Sequence, residues 1–200
     1  MSSDTVASVT SCQEPQRANF YVVSIKKLIC MTLFTAGLYA FYWFYRNWAN
    51  YKNATGDDVV PFLRSIVPVF FIYPLLKRID QRLKQVGIQH DWSPGTLGMA
   101  MWLIVALSVG SGFLTPEPTG ELTHDALLSL RFTVEVVLQL VASLWVMCKI
   151  QQAINVLESD PQGESNADFS GANKGWMAFG IAIWVLNFTG LWLLLLVAYP

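Results

Sequence analysis

The apolar positions of this chain fall in long unbroken blocks, not at the alternation of half-buried strands or in the one-sided stripes of water-soluble helices. From Leu28 to Tyr45 there is no charged residue, a run of roughly 18 positions, or about 27 Å of helix, close to one hydrocarbon thickness. Gly95 to Leu114 and Gly175 to Tyr199 are also free of charge, and Ala126 to Cys148 is interrupted only by Arg131 and Glu135. These blocks predict membrane-spanning helices over about 26–48, 94–114, 126–148 and 175–199. A fifth block, 59–76, is apolar apart from Arg64 but carries Pro61, Pro68 and Pro74. Proline inside a helix removes a hydrogen bond and introduces a clash, so this block reads either as a kinked span or as a re-entrant hairpin.

The expected fold is therefore all-α: an integral membrane helical bundle of four to five transmembrane helices, forming one membrane domain over 20–200. Residues 1–19, rich in Ser, Thr and Gln, read as a flexible N-terminal tail. Ser93 followed by Pro94 is a helix start, and Lys77 to Gln89 reads as a short amphipathic segment suited to an anionic membrane surface. The stretch 158–173, dominated by Asp, Ser, Gly and Asn, reads as a flexible loop.

Positive charge orients the bundle. The loop from Thr115 to Asp125 contains no Lys or Arg, whereas Lys77 to Lys84, Lys149 and Lys174 fall on the opposite side, which should face the cytoplasm. For the first span the count is even: Arg17, Lys26 and Lys27 precede it, and Arg46, Lys52 and Arg64 follow. Five spans with the N-terminus inside are favoured, because Lys26 and Lys27 abut the first helix.

Composition agrees with a membrane class. The chain is 54% hydrophobic and only 14% charged, too little polar surface for a soluble domain of this size. A net charge of −1, with no basic tract in a polar region, argues against nucleic acid. Cys12, Cys30 and Cys148 lie at no metal-ligand or redox spacing. There is no Gly-rich phosphate loop, serine elbow or His-Glu-x-x-His, so no catalytic, cofactor or metal residue is assigned and no enzyme is expected.

The candidates that remain concern packing or an intramembrane path. Arg131 and Glu135 are charges within an apolar helix, four residues apart on one face that Gln139 continues. Their spacing predicts an intrahelical ion pair, with Asn187 of the last helix at similar depth. A protonatable Glu135 in a transport or sensing path is the functional alternative. Trp43 and Arg46 belong to the aromatic, charged close of the first block, and Arg64 is the lone charge of the second.

The run Gly37-Leu38-Tyr39-Ala40-Phe41-Tyr42-Trp43-Phe44-Tyr45, followed by Arg46-Asn47-Trp48, resembles the signature of a family of small bacterial multi-pass membrane proteins of unknown function. Pro61-Phe62-Leu63-Arg64, Tyr73 to Ile79 and Ala172 to Trp176 are similar to further blocks of that family. The resemblance implies a bacterial cytoplasmic (inner) membrane location and transfers no activity. The expected function is a non-enzymatic structural, assembly or regulatory membrane component. Its expected partners are the lipid bilayer and a membrane protein or a second copy. The alternative is a small transporter or channel subunit using the Arg131/Glu135 face.

Overall fold

The computed structural model describes residues 19–199, and every helix and contact below refers to them. The flexible tail expected over 1–19 lies outside the described residues except for Asn19. The described chain is helical: α1 (Ile25–Phe34), α2 (Leu38–Thr55), α3 (Pro61–Ile66), α4 (Pro68–Gln85), α5 (Pro94–Leu114), α6 (Leu122–Leu157) and α7 (Gly171–Ala198). Three of these, α5, α6 and α7, are long and apolar enough to cross a membrane. The expected count of four to five crossings is not confirmed: the block 26–48, expected to span, and the uncertain block 59–76 both fold differently from a continuous span.

The block 26–48 breaks after Phe34. Ala36 and Gly37 both take positive φ, at 51° and 85°. The Gly37 N–H reaches back to the Thr32 carbonyl at 2.8 Å and the Ala36 N–H to Leu33 at 3.2 Å, the double bond of a Schellman helix end. Thr35 joins the two helices: its hydroxyl donates to the Met31 carbonyl at 2.7 Å and accepts from the Tyr39 N–H at 3.0 Å. Here a single buried side chain closes one helix and opens the next.

The two helices then run in opposite senses along the bundle. Ser24, at the start of α1, is bonded through its N–H to Asn166, before α7 begins. Leu33, near the end of α1, accepts from the Trp184 indole at 2.9 Å, well along α7. The turn at Gly37 meets Leu140 of α6, after which α2 returns past Gln151 (through Trp43) to Tyr21 (through Asn47). The pair α1–α2 is a hairpin that starts and finishes at one end of the bundle.

The block 59–76 turns back in the same way. Lys52 holds the Val59 carbonyl at 2.9 Å, α3 packs back along α2, and the chain reverses at Val67, with Pro68 opening α4. Antiparallel packing of α4 on α5 is fixed by Gly98, which sits against Tyr73 and Leu76, and by Phe70 against Trp102. Its Pro74 lies within α4.

At 36 residues, α6 measures about 54 Å, against about 30 Å of hydrocarbon. Its second half is the axis of a collar formed by α1–α4. Leu144, Val146, Met147, Ile150, Ala153 and Ile154 are buried there, together with Leu28, Trp43, Trp48, Ile72 and Leu76. Beyond the collar the three long helices are nearly bare, and Gly180 is the sole buried residue of α7.

Every described Lys and Arg except Arg131 lies in the collar helices or at the same end of α6 and α7. Lys27 anchors the start of the first block. It is buried, and its ammonium donates to Asn166 Oδ1 and the Asp168 carbonyl, both at 2.6 Å. The chain's first described residues therefore share an end with the 158–170 connection. That connection is not a loose loop: Asp160 accepts from the N–H groups of Glu164 and Ser165, a 3-10 turn covers Glu164–Asn166, and Gly163 lies directly on Val23 and Ser24.

Candidate functional site

The densest polar constellation is buried in the collar around an extended segment, Asn19 to Ser24, that has no strand to pair with. Phe20, Tyr21 and Val23 are buried, so their backbone groups need partners away from water. Side-chain amides supply them. The Tyr21 N–H donates to Asn47 Oδ1 at 3.1 Å, and the Tyr21 carbonyl accepts from Gln151 Nε2 at 2.9 Å. Asn155 Nδ2 donates to the Val23 carbonyl at 3.0 Å, Asn166 Nδ2 to Val22 at 2.9 Å, and Asn50 Nδ2 to Phe20 at 3.2 Å.

These amides are cross-linked. Gln151 donates to Asn155 Oδ1 at 2.7 Å and accepts from the Trp43 indole at 2.6 Å, while Asn47 Nδ2 returns to the Trp43 carbonyl at 2.9 Å. Gln151 and Asn155 are one turn apart on α6, and Trp43 and Asn47 one turn apart on α2, so each helix presents a pair at the same level. Glu158 completes the segment by accepting from the Asn19 and Phe20 N–H groups at 3.1 and 3.0 Å. Burial pushes its carboxyl above the usual range, and the two N–H donors and Arg82 only partly offset this. Asp160 is held below its ordinary range, first by the Ser165 N–H.

Trp43 thus belongs to this network. Arg46 lies beside it on the outside, with its guanidinium 4.8 Å from the Tyr21 ring and bonded to the Tyr42 hydroxyl at 2.7 Å. Arg64 stands over the Trp48 indole at 4.1 Å. None of the three joins Arg131 or Glu135.

No family model, curated protein or solved structure matches this chain. Function therefore has to be argued from these contacts.

The expected Arg131–Glu135 ion pair does not form. The carboxylate takes the Ser111 hydroxyl of α5 at 2.6 Å and Gln139 Nε2 at 3.3 Å, and Arg131 reaches only the same Ser111 oxygen, at 3.4 Å. Arg131 itself is exposed, and the Ser111 hydroxyl stands between it and the carboxylate. Arg131, Glu135 and Gln139, together with Leu107 and Leu138, line an open groove of about 500 Å³. Asn187 is on another face, accepting weakly from Thr133 at 3.4 Å. A larger cavity of about 730 Å³ opens there toward the 115–118 loop.

His124 and Asp125 lie 3.3 Å apart in the outer turn, and His90 packs on Trp92 at the other end. Among the described residues no three His, Cys, Asp or Glu side chains converge on a common point. Sequence reasoning missed Asn47, Gln151 and Asn155. Their signal was present as amides at four-residue spacing beside apolar blocks.

Proposed function

We propose that this chain is a non-enzymatic multi-pass component of the bacterial cytoplasmic membrane, with an assembly or regulatory role exercised through packed helices and a collar on the cytoplasmic face. In this reading α5, the outer part of α6 and α7 cross the bilayer, and the α1–α2 and α3–α4 hairpins enter from the basic side and return to it. The concentration of Lys and Arg at the collar end supports that orientation.

One observation carries the reading. The buried amides Asn47, Gln151 and Asn155 close on the chain's own backbone and on one another, as in Gln151 to Tyr21 and Asn155 to Val23, and line no open cavity. Sites that bind or transform a small molecule present convergent polar groups to a pocket. Here the amides build a rigid scaffold.

The transporter reading has one observation in its favour, the groove beside Arg131, Glu135 and Gln139. Toward the collar, however, the buried polar residues of α6, Gln151 and Asn155, are bonded to Tyr21 and Val23 among the buried Leu144, Met147, Ile150 and Ile154. A single cysteine at Glu135 in a Cys-free background distinguishes the two. The scaffold reading expects no reaction with a membrane-impermeant thiol reagent from either side, and reaction would favour transport.

A further inference from the structure

Near the start of α5, two arginines of α4, Arg78 and Arg82, form no ion pair among the described residues. The register of α4 on α5, with Tyr73 and Leu76 beside Gly98 and Phe70 beside Trp102, brings Arg78 level with Pro94. That is where the apolar run of α5 begins, the depth of lipid headgroups. Beside it, Tyr51, Arg78, Gln81, Arg82 and Gln85 line a polar cleft of about 330 Å³.

The Arg78 guanidinium lies 5.0 Å from the Tyr51 ring and 5.2 Å from Trp48, whose other neighbour is Arg64 at 4.1 Å. Ring faces attract these cations but do not neutralise them. Asp57 accepts from the Tyr51 hydroxyl, Asp80 pairs with Lys84, and Glu158, which holds the Asn19 and Phe20 N–H groups, feels the charge of Arg82 without bonding it. Arg82 bonds only to Gln85 Oε1, at 3.2 Å. Among the described residues Arg78 Nη1 reaches only the Pro74 carbonyl, at 3.4 Å, and Arg78 Nε is buried without an acceptor.

We propose that this cleft binds the phosphodiester headgroup of an anionic glycerophospholipid, with Arg78 and Arg82 as its phosphate ligands. Guanidinium forks match phosphate oxygens, and polar Gln81 and Gln85 suit the glycerol hydroxyls. The interfacial depth of Arg78 points to a lipid and not to a free anion as the source. The site goes beyond the scaffold role and is independent of whether Glu135 is reachable by water.

The test uses the full-length protein in uncharged detergent micelles, titrated with phosphatidylglycerol, phosphatidylcholine or inorganic phosphate. Melting and retained lipid are followed, the latter by native mass spectrometry. Phosphatidylglycerol should raise the Tm saturably and be retained as a bound molecule, and the other two should do neither. R78Q/R82Q should weaken the effect about tenfold or more, and R82Q alone, a gentler change, should weaken it measurably. K77Q/K84Q, with the same loss of charge on the same helix, should leave it intact. Equal effects of phosphatidylcholine, reproduction of the shift by inorganic phosphate, or equal loss in K77Q/K84Q would each overturn the proposal.

Discussion

Gly180 of α7 lies with its bare Cα directly on the backbone of Thr35, so that a methyl group added there would overlap the Phe34 carbonyl oxygen and the Thr35 main chain. This contact places the tip of the α1–α2 hairpin against a long apolar helix, and Trp184 secures it one turn further on. The atoms in the way are backbone and cannot rotate aside. Gly180→Ala should therefore cost about 1–3 kcal/mol or more, the range of overpacked cores. Gly190→Ala, where nothing lies within 4 Å, should be neutral or slightly stabilising through helix propensity. Thermal melts of the two variants in detergent check the contrast.

Thr35→Val keeps the shape of the side chain and removes the hydroxyl that joins α1 to α2. The Tyr39 N–H then loses its acceptor in a buried place, a loss of about 1–3 kcal/mol. Hydrogen exchange at Tyr39 should accelerate along with the drop in Tm.

The extended segment depends on its amides. Asn155→Leu removes the donor to Val23 and the acceptor for Gln151 at once, leaving two buried groups unsatisfied at about 1–3 kcal/mol each. Asn187→Leu, which gives up only a 3.4 Å contact, should cost well under 1 kcal/mol, in line with the average for hydrogen bonds between membrane helices of about 0.6 kcal/mol. Comparable losses in both variants would mean that the collar network is not special.

Glu158 makes stability depend on pH. Its carboxyl is raised by burial in the fold, so the folded chain holds this proton more tightly than the unfolded chain. Its contribution is greatest below the ordinary glutamate range, near pH 4.3, and declines as pH rises through the raised folded value. Glu158→Gln should flatten that part of the Tm–pH curve. An unchanged difference between the two proteins from acid to neutral pH would contradict the assignment.

The three long apolar runs were legible because Arg131 and Glu135 alone interrupt them: Ser93-Pro94 opens α5, Pro116 follows its end, and the run from Gly175 to Tyr199 is unbroken. The break in 26–48 was hidden because Thr35, Ala36 and Gly37 are all small and ordinary in a membrane helix. The left-handed backbone of Ala36 and Gly37, not polarity, ends α1. The end of α6 was placed near Cys148 because Lys149 marks the return to the positive side. The helix continues to Leu157 because the collar, not water, receives it. Spacing put Arg131 and Glu135 on one face correctly, but no pattern within α6 could reveal that Ser111 of α5 takes the carboxylate.

The account turns on whether the first apolar block crosses the membrane or returns. Single cysteines at Lys26 and Asp57, both exposed and flanking the α1–α2 hairpin, can be labelled with an impermeant thiol reagent in sealed vesicles of known sidedness, in a Cys-free background with Glu117→Cys as reference. The returning hairpin predicts that K26C and D57C react from the same side, opposite to E117C. Reaction of K26C and D57C from opposite sides would show that the block crosses and would contradict the account.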